Sequence, residues 1–229
     1  MQVLQGDCFT VLKELEKESV DVVYTAPAPF SYYQNSPEKI GGEERLVDYI
    51  SKLINLCNAC KPVLKTTGSL FIQIPDLYTP FGDLAGIPCT FEHFMRGQEG
   101  WLLNDRLIWH RKENLSFKYK ERGFLKNYEF IFHFVKDQFY INTNSKYIRS
   151  SIHSYPIEDT YFTNEFDSGL PEQLTRIIID TSCPENGTIL DPLAGTGKVG
   201  VVAKKMNRDF IGIDIDYETC ERMKTRLGI

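Results

Sequence analysis

Apolar positions follow two rhythms along this chain. Short, nearly unbroken runs rich in β-branched and aromatic residues have the character of buried strands: Val20–Tyr24 (VDVVY), Gly68–Ile74 (GSLFIQI), Thr188–Leu190 and Phe210–Ile213. Gln2–Leu4, Trp101–His110 and Tyr128–Val135 predict three more. Between them lie stretches of helical period. Phe9, Val11, Leu12 and Leu15 share one face, and Glu43–Cys60 carries Leu46, Ile50, Leu53 and Ile54 at the strongest helical spacing in the chain. Further helices are predicted around Thr90–Met95, over Pro171–Ser182, and from the Gly195–Gly197 turn to about Asn207. Ser36–Gly42 reads as loop, and Asp137–Asp167 has no period and predicts irregular structure. Strands alternating with helices predict an α/β domain with a mostly parallel sheet. With no internal repeat and no low-complexity linker, one domain over 1–229 is expected.

The stretch richest in chemistry is TILDPLAGTGKVG, Thr188–Gly200, continued by DFIGIDID, Asp209–Asp216. It predicts strand, glycine turn, helix, strand and terminal acid. Glycines let a ligand approach the backbone, the helix offers free N–H groups, and Asp214 stands where it can accept both hydroxyls of a ribose. A phosphate-binding P-loop is excluded, because Pro192 replaces its first glycine and Val199 its hydroxyl. A dinucleotide loop is matched by Gly195, Gly197 and Gly200, with Asp214 near the expected distance of about 20 residues. S-adenosylmethionine also fits, because its loop follows a strand ending in an acid, here Asp191. The unit stands last in the chain, so the next strand of the sheet must come from Gln2–Leu4, a circularly permuted order.

Composition narrows the setting. Apolar residues make up 42%, enough for a sizeable core. No apolar run approaches the roughly 18 residues of a membrane span. MQVLQGDCF lacks the basic and apolar regions of a signal peptide, so a cytoplasmic location is expected. Six scattered cysteines include one close pair, Cys57 and Cys60, on the long helical stretch; core packing is expected of them, and no metal. The net charge of −5 gives no overall nucleic-acid signature. Locally, Asp105–Lys126 carries seven basic residues against three acids, with Trp109, Phe117, Tyr119 and Phe124 interleaved. That pattern suits a solvated loop and a phosphate-contacting strip equally.

VDVVYTAPAPF, LPEQL, ILDPLAGTGKVG and IGIDID, in this order, resemble the β-class of DNA amino-methyltransferases. GWLLNDRLIWHRKE and NYEFIFHFVK resemble the last two core strands of that family, the second running antiparallel. The match spans nearly the whole chain. It implies a three-layer, Rossmann-like, permuted methyltransferase sheet, mostly parallel with one antiparallel strand. It also implies S-adenosylmethionine as cofactor and methylation of an exocyclic base nitrogen in DNA, as in restriction–modification. Cofactor contacts implied by the resemblance are Asp7, Thr25, Pro171, Glu172, Asp191, Leu193, Ala194, Gly195, Thr196, Gly197 and Asp214. The family often has Phe in place of Leu193. An acid after a strand is also an ordinary helix cap, which bears most on Asp7. A branched side chain at Gly197 is expected to occupy the space of the ligand. Arg111, Lys112, Lys118, Lys120 and Arg122 would face DNA, with target recognition within about 137–167. Nothing in the sequence sets an oligomeric state.

The catalytic motif departs from the family pattern. Where the family has Asp, Asn or Ser, then Pro-Pro and Tyr or Phe, this chain has Ala26-Pro27-Ala28-Pro29-Phe30. Phe30 keeps the aromatic that stacks on a flipped base. The side-chain acceptor for the amine is gone, leaving backbone carbonyls of the loop. Engineered removal, a naturally weak or silent protein, or replacement by Thr25 or Ser31 each fits. Phe30 and the small first residue favour N4 of cytosine over N6 of adenine. A silent DNA- and cofactor-binding protein is the alternative from another class, and a nicotinamide oxidoreductase is the third.

Overall fold

The computed structural model describes residues 1–33, 36–111, 127–147, 150–155 and 170–229. Its elements in chain order are β1 (Gln2–Gln5), α1 (Cys8–Val11), β2 (Val20–Thr25), α2 (Leu46–Cys60), β3 (Leu64–Ile74), α3 (Ile87–Met95) and β4 (Leu102–Arg111). These are followed by β5 (Tyr128–Val135), β6 (Ile152–Tyr155), α4 (Glu172–Ser182), β7 (Thr188–Asp191), α5 (Lys198–Lys205), β8 (Asp209–Asp214) and α6 (Tyr217–Leu227). The eight strands form one sheet in the order β1-β8-β7-β2-β3-β5-β4-β6. Only β5 runs antiparallel, to both β3 and β4. β1 pairs in parallel with β8, from Gln2 beside Ile211 to Gln5 beside Asp214, so the first strand extends the sheet next to the last.

Side chains alternate across each strand and build one core on each face. Val23, Leu70, Ile72, Phe132 and Phe134 pack under α1, α2 and α3. Val22, Tyr24, Phe71, Trp109 and Ile131 pack under α4, α5 and α6. The apolar stripe read along α2 buries Ile50, Leu53 and Ile54, and Cys57 and Cys60 lie within the same core. Truncating a fully buried leucine such as Leu53 to Ala would cost about 2–5 kcal/mol.

Three elements differ from the sequence reading. The helix expected through Leu15 is a single turn. Asp7 caps it, accepting from the Thr10 N–H at 3.0 Å, but past Leu12 the charged run Lys13–Lys17 offers only Leu15 to the core. β3 begins four residues before the predicted Gly68, because Leu64 already pairs with Val20 across a register shift. Within the stretch expected to be irregular, β6 adds a parallel edge strand beside β4, held by Ile108–Ile152 through Arg111–Tyr155 pairing and by the Trp109 indole donating to the Tyr155 carbonyl at 3.0 Å. The remainder of that stretch, from 156 on, lies outside the described residues.

The consequence for function is directional. The C-terminal ends of β8, β7, β2, β3, β4 and β6 share one edge, together with the start of β5. Open α/β sheets bind ligands at that edge.

Candidate active site

A cavity of about 320 Å³ opens at this edge. Asp214, at the tip of β8, forms one wall. Its carboxylate accepts from the Gly195 N–H at 3.1 Å and the Asp216 N–H at 2.9 Å. Burial raises its affinity for a proton, and those two N–H groups partly offset the rise. Asp191, at the tip of β7, is buried more deeply. Desolvation pushes its carboxyl up to about 7, against the opposing pull of the Thr25 hydroxyl and the Leu193 N–H.

Between the two acids, Gly195 takes a positive φ of 50°, and a Cβ there would meet nothing within 4 Å. The backbone therefore passes an open space with two acids beside it, a cradle suited to a ribose and a cationic group. Leu193, Ala194 and Thr196 line the same wall. The Gly6 N–H donates to the Asp214 carbonyl at 2.9 Å, and the next residue, Asp7, also lines the cavity. Asp7 is thus both a helix cap and a lining residue.

Gly197 works differently from the sequence expectation. A Cβ on it would lie 2.5 Å from the Met223 side chain of α6, so its smallness serves helix packing rather than ligand space. Thr25 is buried against Asp191 and does not line the cavity. Pro171 and Glu172 do not line it either. Glu172 pairs with Arg176 at 2.6 Å and Lys205 at 2.7 Å, binding α4 to α5, while the preceding Leu170 reaches the cavity.

The loop after β2 enters from the other side. Ala26 and Ala28 line the cavity, and Pro27 is buried. The Tyr49 hydroxyl of α2 donates to the Ala28 carbonyl at 2.9 Å, so that acceptor is already in use. Phe30 leans on the same tyrosine, ring centres 5.8 Å apart.

Residues 36–42, read from sequence as plain loop, form part of the wall of this site, and Glu43, read as the start of the long helix, precedes α2. Lys39 and Ile40 line the cavity, and the Lys39 charge lowers the proton affinity of Asp214. Lys52 of α2 holds the segment by donating to the Pro37 carbonyl at 2.8 Å and pairing with the buried Glu43 at 3.2 Å. The local hint was Gly41-Gly42: at Gly41, φ is 97° and a Cβ would sit 2.8 Å from the Pro29 carbonyl oxygen.

Of the basic residues expected at DNA, Arg111 is described, and it pairs with Glu129 at 3.2 Å. Lys112, Lys118, Lys120 and Arg122 lie outside the described residues. Among the described residues, no group of three His, Cys, Asp or Glu side chains is placed to hold a metal ion. No helix there is long and apolar enough to cross a membrane.

Known proteins resemble this chain in sequence and in fold. The type II methyltransferase M.Cfr9I of Citrobacter freundii is 25% identical over 262 aligned residues, 98% of this chain and 87% of that protein. The DNA adenine methyltransferase YhdJ of Escherichia coli (strain K12) is 25% identical, covering 99% of this chain and 82% of YhdJ. The solved structure of PvuII DNA methyltransferase (cytosine-N4-specific) superimposes with a TM-score of 0.82 at 16% identity, covering 98% of this chain and 85% of that one. Residues 20–225 match the DNA methylase family of N6 and N4 methyltransferases, and with β1 completing the sheet beside the Asp214 strand, the chain belongs to that family.

Proposed function

We propose that this DNA amino-methyltransferase acts on the N4 amine of cytosine. One observation carries the reading: the Gly195–Asp214 cradle and the Ala26–Ala28 loop line the same cavity. The cofactor is S-adenosylmethionine, which supplies a methyl group activated by a positively charged sulfur. Asp214 would accept the ribose hydroxyls, Asp191 would face the cationic end, and Gly195 would leave room for the nucleoside.

The loop deals with the amine. An exocyclic amine is a poor nucleophile because its lone pair is delocalised into the ring. Acceptors that take its N–H hydrogens favour a tetrahedral nitrogen and stabilise the positive charge it gains. Carbonyls of the Ala26–Pro27 segment would serve, and Phe30 would stack on the extruded base. The basic segment within 105–126 would follow the phosphates. Arg111 and Asn127, which flank residues 112–126, stand at the cofactor edge and support that reading.

Cytosine is favoured by Phe30 with a small first residue, and the cytosine-N4 specificity in the name of the PvuII enzyme supports it. Adenine N6 is the second reading, supported by the likeness to YhdJ. Mass spectrometry of nucleosides from DNA incubated with the protein and S-adenosylmethionine tests both. N4-methylcytosine is expected; N6-methyladenine in its place would reverse the assignment, and neither would indicate a silent binder.

A further inference from the structure

We propose that Gln73 supplies, from the neighbouring strand, the side-chain acceptor that Ala26 lacks. The inference rests on reading Ala26–Phe30 as the loop that receives the amine. β2 and β3 run in parallel with Tyr24 opposite Phe71 and Thr25 opposite Ile72. One more step in that register sets Ala26 beside Gln73. Both belong to the same face of the sheet. Ala26 continues the alternation of Val22 and Tyr24, and Gln73 that of Phe71, all three in the core under α4 to α6.

Gln73 is unusual for a core position. It is 2% exposed, and among the described residues its Oε1 has no hydrogen-bond partner. A buried carbonyl without a donor costs stability, so its presence calls for a reason. Its orientation is imposed from behind. The Nε2 group donates to Glu129 Oε2 at 2.7 Å, and Glu129 Oε1 pairs with Arg111 at 3.2 Å. A carboxylate accepts only, so it takes the NH₂ end of the amide and turns Oε1 away from itself. Gln73 does not itself line the cavity; its preoriented carboxamide oxygen belongs to the strand next to Ala26, which does, and in the proposed role it accepts an N–H of an amine that enters past Ala26. Gln73 takes no proton. The proton that the methylated nitrogen loses goes to water.

The test is single-turnover transfer of tritiated methyl groups to mixed-sequence duplex DNA by the parent, Gln73→Leu, Gln73→Asn and the Gln73→Leu/Ala26→Asn pair. Affinities for S-adenosylhomocysteine and for the duplex are measured alongside. Gln73→Leu is expected to slow transfer by about 100-fold or more with both affinities kept within about twofold. Gln73→Asn keeps the amide but withdraws it by one methylene. It should also be slow, and it serves if the leucine variant folds poorly. Ala26→Asn in the leucine background should restore the rate to within about tenfold of the parent, a rescue that a packing role would not give. Parent-like rates in both single variants, or a slow leucine variant that Ala26→Asn does not rescue, would overturn the role of Gln73. A parent that binds both ligands but transfers nothing until Ala26→Asn is introduced would overturn it too, while leaving the loop assignment standing. No transfer by any of these proteins would reject the loop assignment as well.

Discussion

The Tyr49 hydroxyl donates to the Ala28 carbonyl at 2.9 Å, tying the middle of α2 to the loop that would receive the target base. Phe30 rests on the same ring, so one residue sets both the carbonyl direction and the aromatic of the loop. Tyr49→Phe keeps the ring contact and removes the hydrogen bond. It should lower stability by about 0.5–1.5 kcal/mol in urea titration and slow methyl transfer, with cofactor affinity unchanged. Unchanged transfer would show that the loop holds its geometry without the tyrosine.

The two glycines of the cradle should separate in their effects. Both have positive φ, so alanine strains each backbone by about 1 kcal/mol. Only at Gly197 does the new Cβ strike a neighbour, Met223, adding about 1–3 kcal/mol of overpacking. Gly197→Ala should therefore be the less stable variant by thermal unfolding. Gly195→Ala should chiefly weaken S-adenosylhomocysteine binding in calorimetry, because its methyl enters open space in the cavity. Asp214→Ala should weaken the same binding by about 1–3 kcal/mol.

Asp191 makes a pH prediction whose sign follows from its burial. The folded carboxyl keeps its proton up to about pH 7, whereas an exposed one loses it near 3.8. Between those values the folded state binds more protons than the unfolded state, so this group's contribution to stability falls as pH rises through the window and levels off above it. Asp191→Asn removes the titration. The variant should gain on the parent in cofactor-free urea unfolding by about 1.4 kcal/mol per pH unit from pH 5 to about pH 7, and the gain should level off by pH 8. A stability difference independent of pH would mean that Asp191 is ionised throughout.

Replacing Lys118, Lys120 and Arg122 together should weaken binding to any DNA sequence and flatten the dependence of log affinity on log salt, each lost phosphate contact lowering the slope by about 0.9. Equal slopes in parent and triple variant would assign these residues to ordinary surface. Arg111→Ala should behave differently. Its partner Glu129 holds Gln73, so the loss should appear in the rate of methyl transfer more than in the salt slope.

The sequence by itself determined the order of strands and helices apart from β6, the permuted placement of the first strand, and the unit running from Asp191 through Gly195 to Asp214. These are carried by local chemistry: runs of buried residues, glycines in a turn, acids at strand tips. Where identity depends on a partner far along the chain, the sequence is silent. Ile152–Tyr155 has no strand pattern of its own and becomes one because β4 offers it a ladder. Residues 36–42 read as loop, since nothing local shows that Lys52 and Glu43 hold them beside the cavity. Gly197 reads as ligand space because Met223, far along the chain, is invisible in the motif. The placement of Ala26 near Gln73 follows only from extending the Thr25–Ile72 register of two strands joined by a long helix. Neighbours within a helical turn can be read along the chain, but register and packing are fixed only when distant segments compete for the same buried surface.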